Sequence, residues 1–526
     1  MRSLVASFLP LAACLPPIPE PGEVSHGAPT EEIEAPSGPE AASEGAAKTG
    51  EAADPPPACA DPGLTYEIYV RSFADSDGDG GGDLGGVRAH LDYLDALGVQ
   101  TIWLMPVFPS FGPAGYDVTD FSTVNPEYGS RAELRALVED AHERGIHVWL
   151  DIPFNHVHRL HPWFVHAEEG RDSPTHGWFD YAPAAEDEDH WFAAADGEAY
   201  YAYFGRDMPD LDYDEPEVIA AMQRTWGDWL AEVDGFRLDA VIMLSESGET
   251  LEGAPQSHEV LADLLSAARE ANPSACFLAE ASEWDVASSL SWIGTADLPG
   301  ADTVLDFPRQ DALLAAAAQH TAGPVLDVVQ EQVQLGGAGR MVAFLGSHDL
   351  ERLPTRVPDP SERRALRVLQ FLLPGSPVLY YGEELDLPDS TTGTGQDEAM
   401  RAPMPWSDLR EAGFTTGSAW FPPDPSYLSG LNVAEEAADP GSPLALTQAL
   451  ACARSKIPSE NAGSWLPITS LNASLALFLR TTSAGDVEVV VNLSDLPVDA
   501  APGGPLGAWG YRVIAPENLG CPAIEG

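Results

Sequence analysis

Lysine, cysteine and long apolar runs are scarce in this 526-residue chain, and each scarcity excludes a class of protein. Only two of the 26 basic residues are lysines (Lys48 and Lys456), and 83 Asp+Glu bring the formal charge to −57. Because such a surface repels phosphate backbones, we expect no nucleic-acid partner. The acidity is typical of proteins that stay soluble at high salt, and it fits the bias of a GC-rich coding sequence equally well.

The five cysteines are too few for a disulfide scaffold. Cys276 lies in an apolar run, which predicts an inert thiol in the core. Cys59 and Cys521 bracket the part of the chain that is expected to fold, and we hypothesise that they pair in an oxidising compartment. The sequence alone leaves the connectivity of these two residues and Cys452 open.

No apolar run is long enough to span a membrane, but the first residues are typical of a secretion signal. Met1 and Arg2 precede a short apolar run that ends in Leu11-Ala12-Ala13-Cys14. This ending resembles the lipobox of bacterial lipoproteins, which implies that residues 1–14 are a signal peptide and that Cys14 is lipidated. The alternative is an ordinary secretory signal that contains a chance cysteine.

Residues 15–58 contain Pro, Glu, Ala, Gly and Ser and almost no large apolar side chain. Such a segment cannot bury enough surface to offset its ordering entropy, so we predict a disordered acidic tether. Proline and like charge extend it, and it would hold the folded body roughly 40 Å or more from a membrane. We therefore expect an extracytoplasmic monomer that meets a bacterial membrane, at the outer membrane or cell surface, through its lipid anchor only.

From residue 64 to about 390, β-rich runs alternate with helical patterns. Ser130 and Glu133 form a capping box that predicts a helix to about residue 144. Further helices are predicted at 87–97, 217–230, 259–271 and 361–372. Eight strands separated mostly by helices indicate an α/β fold, a (β/α)8 TIM barrel. The predicted strands are 65–70, 100–106, 146–151, 233–238, 275–279, 303–306, 341–345 and 377–381.

Two segments interrupt or follow this alternation. About 60 residues, 156–216, follow the third strand and are rich in Trp, His, Tyr and Asp, which predicts a domain inserted over the barrel mouth. The barrel would then comprise residues 62–155 and 217–460. Short β-like segments follow, and residues 461–520 are predicted to form a C-terminal antiparallel, β-sandwich-like domain.

Acidic residues stand where the predicted barrel strands end. Asp151 ends the third strand, and Asp239, Glu280 and Asp349 lie just beyond the fourth, fifth and seventh strands. One such residue alone is more simply explained as the cap of the next helix. Because the carboxyl ends of barrel strands face one pocket, several carboxylates there indicate an active site.

These segments resemble the signature regions of the α-amylase family, glycoside hydrolase family 13, over residues 62–515. The resemblance lies in Gly115-Tyr116-Asp117-Val118-Thr119-Asp120, Asp151-Ile152-Pro153-Phe154-Asn155-His156, Met208-Pro209-Asp210-Leu211-Asp212, Gly235-Phe236-Arg237-Leu238-Asp239, Phe277-Leu278-Ala279-Glu280 and Phe344-Leu345-Gly346-Ser347-His348-Asp349. It points to the branch between α-amylases and oligo-1,6-glucosidases, which includes bacterial lipoprotein α-amylases.

The resemblance implies the role of each catalytic residue in a retaining mechanism. Asp239 would be the nucleophile and Glu280 the acid/base, with Asp349 holding sugar hydroxyls in the distorted ring. Arg237 would keep Asp239 ionised through its positive charge. The remaining implied contacts are a sugar stack on Tyr116, Asp117 behind that ring, and hydrogen bonds from His156 and His348 to the sugar.

A loop after the first strand predicts a calcium site. Carboxylates stand at mostly every second position, with glycines for a tight turn, and the spacing resembles an EF-hand-like loop. We expect a structural Ca²⁺ there, although an acidic surface turn is the simpler alternative. The predicted ligands are Asp75, Asp77, Asp79, Asp83 and the Gly81 carbonyl. A second calcium near Asn155 stays an open question.

Two positions depart from the family pattern. Ser347 stands where asparagine is usual, and Ile242-Met243 stand where many starch-degrading members carry Lys-His. The resemblance implies an α-glucan substrate and an α-amylase that cleaves internal α-1,4 bonds. The alternatives are an α-glucosidase or glucanotransferase on the same scaffold and, from another class, a non-catalytic glycan-binding surface lipoprotein.

Overall fold

The computed structural model describes residues 57–526 except 184–189, 196, 247–249, 296–297, 394, 458–464, 500 and 517–518. The predicted signal peptide, Cys14 and nearly all of the predicted tether lie outside the described residues. Among the described helices, none combines the length and the apolar character that a membrane crossing requires.

Eight parallel strands close into a barrel in the spatial order β1-β11-β10-β9-β8-β7-β3-β2. The (β/α)8 prediction is confirmed, and each strand boundary lies within two residues of its prediction. The strands are β1 Thr65–Ile68, β2 Thr101–Leu104, β3 His147–Ile152, β4 Tyr181–Pro183, β5 Trp191–Ala193, β6 Glu198–Tyr201, β7 Gly235–Leu238, β8 Cys276–Ala279, β9 Thr303–Leu305, β10 Met341–Ala343, β11 Ser376–Tyr380, β12 Trp465–Pro467, β13 Leu475–Thr482, β14 Gly485–Asn492, β15 Tyr511–Ile514 and β16 Ile524–Glu525.

Helices surround the barrel, and their ends follow local chemistry. The Ser130 hydroxyl accepts from the Glu133 N–H at the start of α5, as the capping box predicts. The α-helices are α1 Pro57–Ala60, α2 Val70–Phe73, α3 Leu84–Ala89, α4 Leu91–Leu97, α5 Arg131–His142, α6 Pro162–Ala167, α7 Pro216–Leu230, α8 Pro255–Ala271, α9 Val286–Ser291, α10 Phe307–Ala318, α11 Gly323–Gln334, α12 Leu353–Arg356, α13 Pro360–Leu372, α14 Gln396–Met400, α15 Val433–Glu436 and α16 Pro443–Arg454. Short 3-10 helices occupy His176–Trp178, Val241–Met243, Ala338–Arg340, Glu383–Leu385, Arg410–Gly413 and Pro425–Ser429.

The segment between β3 and α7 carries its own small sheet. Strands β4, β6 and β5 pair antiparallel in that order. Phe164 packs edge-on against Phe179 and Tyr200, each with ring centroids 4.9 Å apart. Much of the aromatic content of this segment therefore forms a local core, and the segment returns to the barrel through paired residues His156 and Asp210.

The C-terminal part forms a five-stranded antiparallel sheet in the order β12-β13-β14-β15-β16, which confirms the predicted antiparallel β domain. The sheet is tied to the barrel helices by buried Arg480, whose Nη1 donates to the Leu372 carbonyl at 2.8 Å. A second apolar cluster packs on the strand residues that alternate with the first set, where Leu477 and Val490 contact Val498 and Leu506. Side chains are thus buried on both sides of the central strands.

The disulfide hypothesis and the prediction of an inert Cys276 thiol are wrong. Cys59 pairs with Cys276, and Cys452 pairs with Cys521. The hypothesis joined Cys59 to Cys521 by their place at the two ends of the folded region. The barrel instead brings Cys59, on α1, to the first residue of β8, whereas Cys521 meets α16 beneath the C-terminal sheet.

Candidate active site

The parallel register of the barrel brings the predicted site residues to one end. Asp151 of β3 lies beside Arg237 of β7, and Leu238 lies beside Ala279 of β8. The next residues along these strands are Asp239 and Glu280, so their side chains start from neighbouring positions at the carboxyl end of the sheet. The structure thus brings together the charged groups that the sequence places at strand ends.

Arg237 is the centre of this cluster and is buried, with 1% of its surface exposed. Its Nη1 donates to Asp239 Oδ1 at 2.5 Å and to Asp151 Oδ1 at 2.9 Å. Its Nη2 lies 2.8 Å from Glu280 Oε2. One guanidinium therefore holds three carboxylates and fixes Asp239 and Glu280 on its two adjacent nitrogens.

Three carboxylates around one cation leave the cluster with excess negative charge. Burial raises the pKa of Asp239, and the nearby Glu280 and Asp151 carboxylates raise it further, while Arg237 lowers it. Arg237 thus acts on the pKa of Asp239 in the direction that the resemblance implies, against the effect of burial. Such a group binds protons as a unit, and the cluster retains a proton more readily than an isolated carboxyl does.

A second chain of contacts runs from Asp349 into the barrel. His348 Nε2 lies 2.9 Å from Asp349 Oδ2, and its Nδ1 contacts Glu67 Oε1 in the middle of β1. Arg401 approaches Asp349 from the other side, with Nη2 at 3.5 Å from Oδ1. About half of the Asp349 side chain is exposed, so it faces the mouth of the barrel.

This series of contacts fixes the charges of His348 and Asp349. Burial acts to lower the pKa of His348, but the Asp349 and Glu67 carboxylates overcome it and raise that pKa to about 10. Partial loss of hydration acts to raise the pKa of Asp349, but His348 and Arg401 hold it well below its usual range. His348 is therefore a cation and Asp349 an anion at neutral pH.

Tyr116 joins the two groups. Its hydroxyl donates to Asp151 Oδ2 at 2.8 Å and lies 2.6 Å from His348 Nε2, and its ring stacks on the imidazole at 5.2 Å. Trp103 Nε1 donates to the same Asp151 oxygen at 3.0 Å. His348 covers one face of the Tyr116 ring, so only the other face could stack on a sugar. That role of Tyr116 stays a prediction.

The other two implied sugar contacts lie beside Tyr116. His156 is buried, its Nε2 is 3.2 Å from the Tyr116 carbonyl oxygen, and burial lowers its pKa to about 4, so the ring is neutral. Its Nδ1 has no partner among the described residues. Asp117 accepts from the Gly112 N–H at 2.7 Å, so it holds the loop that carries Tyr116.

The backbone after Asp239 has an uncommon conformation. Ala240 adopts φ 46° and ψ 43°, the left-handed region that residues with a β-carbon rarely occupy. In this conformation the Ala240 N–H donates to Glu280 Oε2 at 3.1 Å. Strain of this kind persists where surrounding contacts enforce it, and here it ties the two catalytic candidates together.

The two departures from the family pattern have different consequences. The Ser347 hydroxyl accepts from the Asp349 N–H at 3.3 Å, so this position still supports the site. Ile242 is buried with 3% exposure, whereas Met243 is half-buried. Ile242 therefore packs into the protein and offers no polar group to a leaving-group sugar.

The loop predicted to bind calcium brings three of its five predicted ligands together. Oxygens of Asp75, Asp77 and Asp83 lie within 4.8 Å of one another. Asp79 is not part of that group, and its carboxylate accepts from the Gly81 N–H at 2.8 Å. The hard oxygen donors fit a calcium ion, although Asp83 also caps α3 through the Gly86 N–H.

Sequence reasoning assigned no role to three residues of this site: Glu67, Asp151 and Arg401. A glutamate inside an otherwise apolar first strand was a signal for Glu67, because a buried carboxylate needs a partner. The sequence places Asp151 at a strand end but gives no sign of its ion pair with Arg237. Arg401 lies just after the short helix α14, in a segment whose periodicity gives no hint of the barrel mouth.

Comparison with known proteins places this geometry in a family. The model of the alpha amylase catalytic domain matches residues 67–461. The chain is 30% identical over 491 residues to the trehalose synthase/amylase of Mycobacterium tuberculosis (strain H37Rv), covering 82% of this chain and 81% of the relative. It is 31% identical over 361 residues to alpha-amylase 3 of Dictyoglomus thermophilum, covering 67% and 69%.

A solved structure agrees with these relatives. The alpha-amylase from H. orenii superposes with a TM-score of 0.74 at 29% identity, covering 86% of this chain and 98% of that chain. The range matched by the family model, residues 67–461, contains Arg237 and the strand-end carboxylates Asp151, Asp239, Glu280 and Asp349. The chain belongs to the α-amylase family, glycoside hydrolase family 13.

Proposed function

We propose that the protein is a retaining glycoside hydrolase that cleaves internal α-1,4-glucosidic bonds of starch, glycogen or maltodextrins. The observation that carries the proposal is the pairing of Asp239 and Glu280 on the two terminal nitrogens of Arg237. In retaining glycosidases the two carboxyl groups stand about 5–5.5 Å apart, which suits neighbours on one guanidinium.

In the first step, Glu280 protonates the glycosidic oxygen while Asp239 attacks the anomeric carbon. The C–O bond to the leaving sugar breaks, and a covalent glycosyl-aspartate forms on Asp239. In the second step Glu280 removes a proton from water, whose oxygen displaces Asp239.

The surrounding charges support the oxocarbenium-like transition state. Asp349 is held as an anion by His348 and Arg401, so it can accept hydrogen bonds from sugar hydroxyls without a proton of its own. Neutral His156 lies beside Tyr116 with its Nδ1 unpartnered among the described residues. These groups are placed by the fold before substrate arrives, which is the condition for electrostatic stabilisation.

Transfer to a sugar is the second candidate outcome of the same chemistry. The similarity to a trehalose synthase/amylase over 82% of the chain favours it, as does the buried Ile242 at a position where many starch-degrading members carry lysine. If an acceptor sugar replaces water in the second step, the enzyme is a glucanotransferase or makes a new disaccharide. An α-glucosidase would use the same hydrolytic steps but would release glucose from the end of the glucan chain.

Time-resolved product analysis tests the proposal. The wild type and Asp239→Asn would be incubated with soluble starch, maltoheptaose, maltose and isomaltose. A rapid fall in iodine staining with mixed short maltooligosaccharides supports an endo-acting hydrolase. Stepwise glucose indicates an α-glucosidase, products longer than maltoheptaose indicate a transferase, and trehalose from maltose indicates an isomerising enzyme. Unchanged turnover by Asp239→Asn contradicts the mechanism.

We also propose that a structural Ca²⁺ occupies the loop formed by residues 75–83. The converging oxygens of Asp75, Asp77 and Asp83 support it. The loop contacts the segment near residue 415, because the Asp75 N–H donates to the Phe414 carbonyl at 3.1 Å, so bound calcium would stabilise that junction. At free Ca²⁺ 100 times its Kd, the gain in the free energy of unfolding is about 2.7 kcal/mol. Thermal unfolding with EDTA and with added Ca²⁺ measures it, and the absence of a shift contradicts the site.

An extracytoplasmic, lipid-anchored location is proposed on the cysteines. Disulfides persist in oxidising compartments, and the two disulfides use four of the five cysteines. Cys14 is the residue left over, as a lipidation site requires. Metabolic labelling with a fatty-acid probe tests this, with Cys14→Ser as the variant that must lose the label. We expect a monomer, which sedimentation velocity would check.

A further inference from the structure

Two histidines and an aspartate converge at the end of the barrel opposite the active site. His142 lies in the last turn of α5, His147 is the first residue of β3, and Asp234 immediately precedes β7. One nitrogen from each imidazole and one Asp234 oxygen lie within 4.8 Å of one another. These three residues are here called the basal triad.

We propose that the basal triad binds a transition-metal ion, with Zn²⁺ as the preferred ion. The ligand atoms are His142 Nε2, His147 Nδ1 and an Asp234 oxygen. Imidazole nitrogen and carboxylate oxygen are ligands that zinc accepts, and three protein ligands with water in the remaining position form a recurrent zinc geometry. A set with two nitrogens disfavours Ca²⁺, which prefers oxygen ligands.

The spacing of the triad suits a small ion. His142 Nε2 lies 2.8 Å from Asp234 Oδ2, and His147 Nδ1 lies 3.7 Å from the same oxygen. Tetrahedral ligands at zinc bond lengths of about 2.0–2.2 Å stand about 3.3–3.5 Å apart, between these two values.

The carboxylate of the triad is held in place from behind. Asp234 Oδ2 accepts from the Val148 N–H of β3 at 2.8 Å, and the Asp234 carbonyl accepts from the Cys276 N–H of β8 at 2.9 Å. An outer hydrogen bond of this kind fixes the orientation of a metal-ligating carboxylate. The Asp234 carboxylate is therefore already oriented by the backbone.

Access and electrostatics also favour a cation. Close to half of each histidine side chain is exposed, so a hydrated ion reaches the nitrogens without any opening of the fold. The chain carries a formal charge of −57, which concentrates divalent cations near its surface. The site lies at the amino ends of the strands, where it would join α5, β3 and β7 and take no part in glycoside chemistry.

Metal binding to the full chain, stripped with chelator and dialysed against buffered free Zn²⁺, tests the proposal. We expect one zinc per chain that is lost in His142→Gln and in His147→Gln, with affinity lower by about 100-fold or more. That loss exceeds the 10–100-fold effect of removing an outer-shell partner. Exposed His166 is the matched control, and His166→Gln should bind zinc as the wild type does.

A spectroscopic measurement separates this site from weak surface binding. Co²⁺ bound by two imidazoles and a carboxylate gives visible absorption bands, which Ca²⁺ should not displace and Zn²⁺ should. Absence of a stoichiometric zinc, or equal zinc binding by wild type and His147→Gln, overturns the proposal. Because the readout is binding, the result is independent of glycosidase activity.

Discussion

Two aspartate–arginine pairs stand at opposite ends of the barrel, each with a buried aspartate, and they differ in charge balance. At the amino end, Asp302 accepts from Arg269 Nη2 at 3.0 Å and from the Phe277 N–H at 2.9 Å. At the carboxyl end, Asp239 shares Arg237 with two further carboxylates. The first pair is neutral, and the second leaves two negative charges in excess when all groups are ionised.

This difference separates a stabilising contact from a reactive one. A buried charge is tolerated when one partner neutralises it and hydrogen bonds satisfy its oxygens, as at Asp302. A cluster with too few cations is costly to the folded state, but its carboxylates are available to take up and release a proton. The Asp302 pair at the base is thus balanced in charge, whereas the Asp239 cluster at the mouth is not.

Exchanging each aspartate for asparagine should separate these roles most clearly. Asp239→Asn removes the nucleophile and should lower kcat by about 10⁴-fold, with little change in the denaturation midpoint. Asp302→Asn should leave kcat nearly unchanged and lower the stability, because Arg269 loses its counter-charge. Activity and stability would be measured on both variants, and an equal loss of activity in the two would contradict the separate roles of Asp239 and Asp302.

Removing the two arginines tests the charge count itself. Arg237→Met leaves three carboxylates without their cation, and we expect the free energy of unfolding to fall by about 3–5 kcal/mol near neutral pH. Arg269→Met leaves one carboxylate unpaired beside a partly exposed side chain, so its effect should be smaller. Denaturant titration measures both, and a larger effect of Arg269→Met contradicts the ranking.

The two disulfides extend the comparison to covalent links. Cys59–Cys276 closes 217 residues at the barrel base, whereas Cys452–Cys521 closes 69 residues. Loop-closure entropy predicts that replacing the first pair by serine costs about 1 kcal/mol more than replacing the second. Urea unfolding of the two double variants gives that difference, and activity at 25 °C should persist in both. A smaller loss for the longer loop would show that native packing, not chain entropy, dominates.

A pH-dependent effect on stability is expected from the His348 charge. Its pKa is raised from 6.5 to about 10, so the stability that it contributes is fully present below about pH 6.5. That contribution is lost as the pH rises through about 10. The unfolding free energy of the wild type should therefore fall between these values more than that of His348→Gln. If the two pH profiles run parallel instead, the ion pairs of His348 with Glu67 and Asp349 do not contribute to stability.

Much of the fold could be predicted because it depends on local pattern. The eight barrel strands were visible as short apolar runs, and Asp239, Glu280 and Asp349 stood at their ends with recognisable neighbours. Strand ends are set by hydrophobic periodicity and by where the polar chemistry begins, and both are properties of consecutive residues.

The remainder depends on contacts between distant segments. The Glu67–His348 contact spans 281 positions, and the Cys59–Cys276 link spans 217. Neither has a periodicity that links its partners, because barrel closure alone brings them together. Arg401 was missed for the same reason, whereas Glu67 could have been found by asking what balances a carboxylate inside an apolar strand.

The Cys59–Cys276 disulfide also fixes the start of the described chain at one end of the barrel. Since Cys276 is the first residue of β8, the chain enters the folded body at the base, opposite the catalytic carboxylates. A support attached directly at Pro57–Ala60 would therefore lie at the base of the barrel and leave the catalytic cleft uncovered. Large branched glucans could then reach the catalytic cleft. Immobilisation through this end should therefore preserve activity on long glucans as well as on short ones.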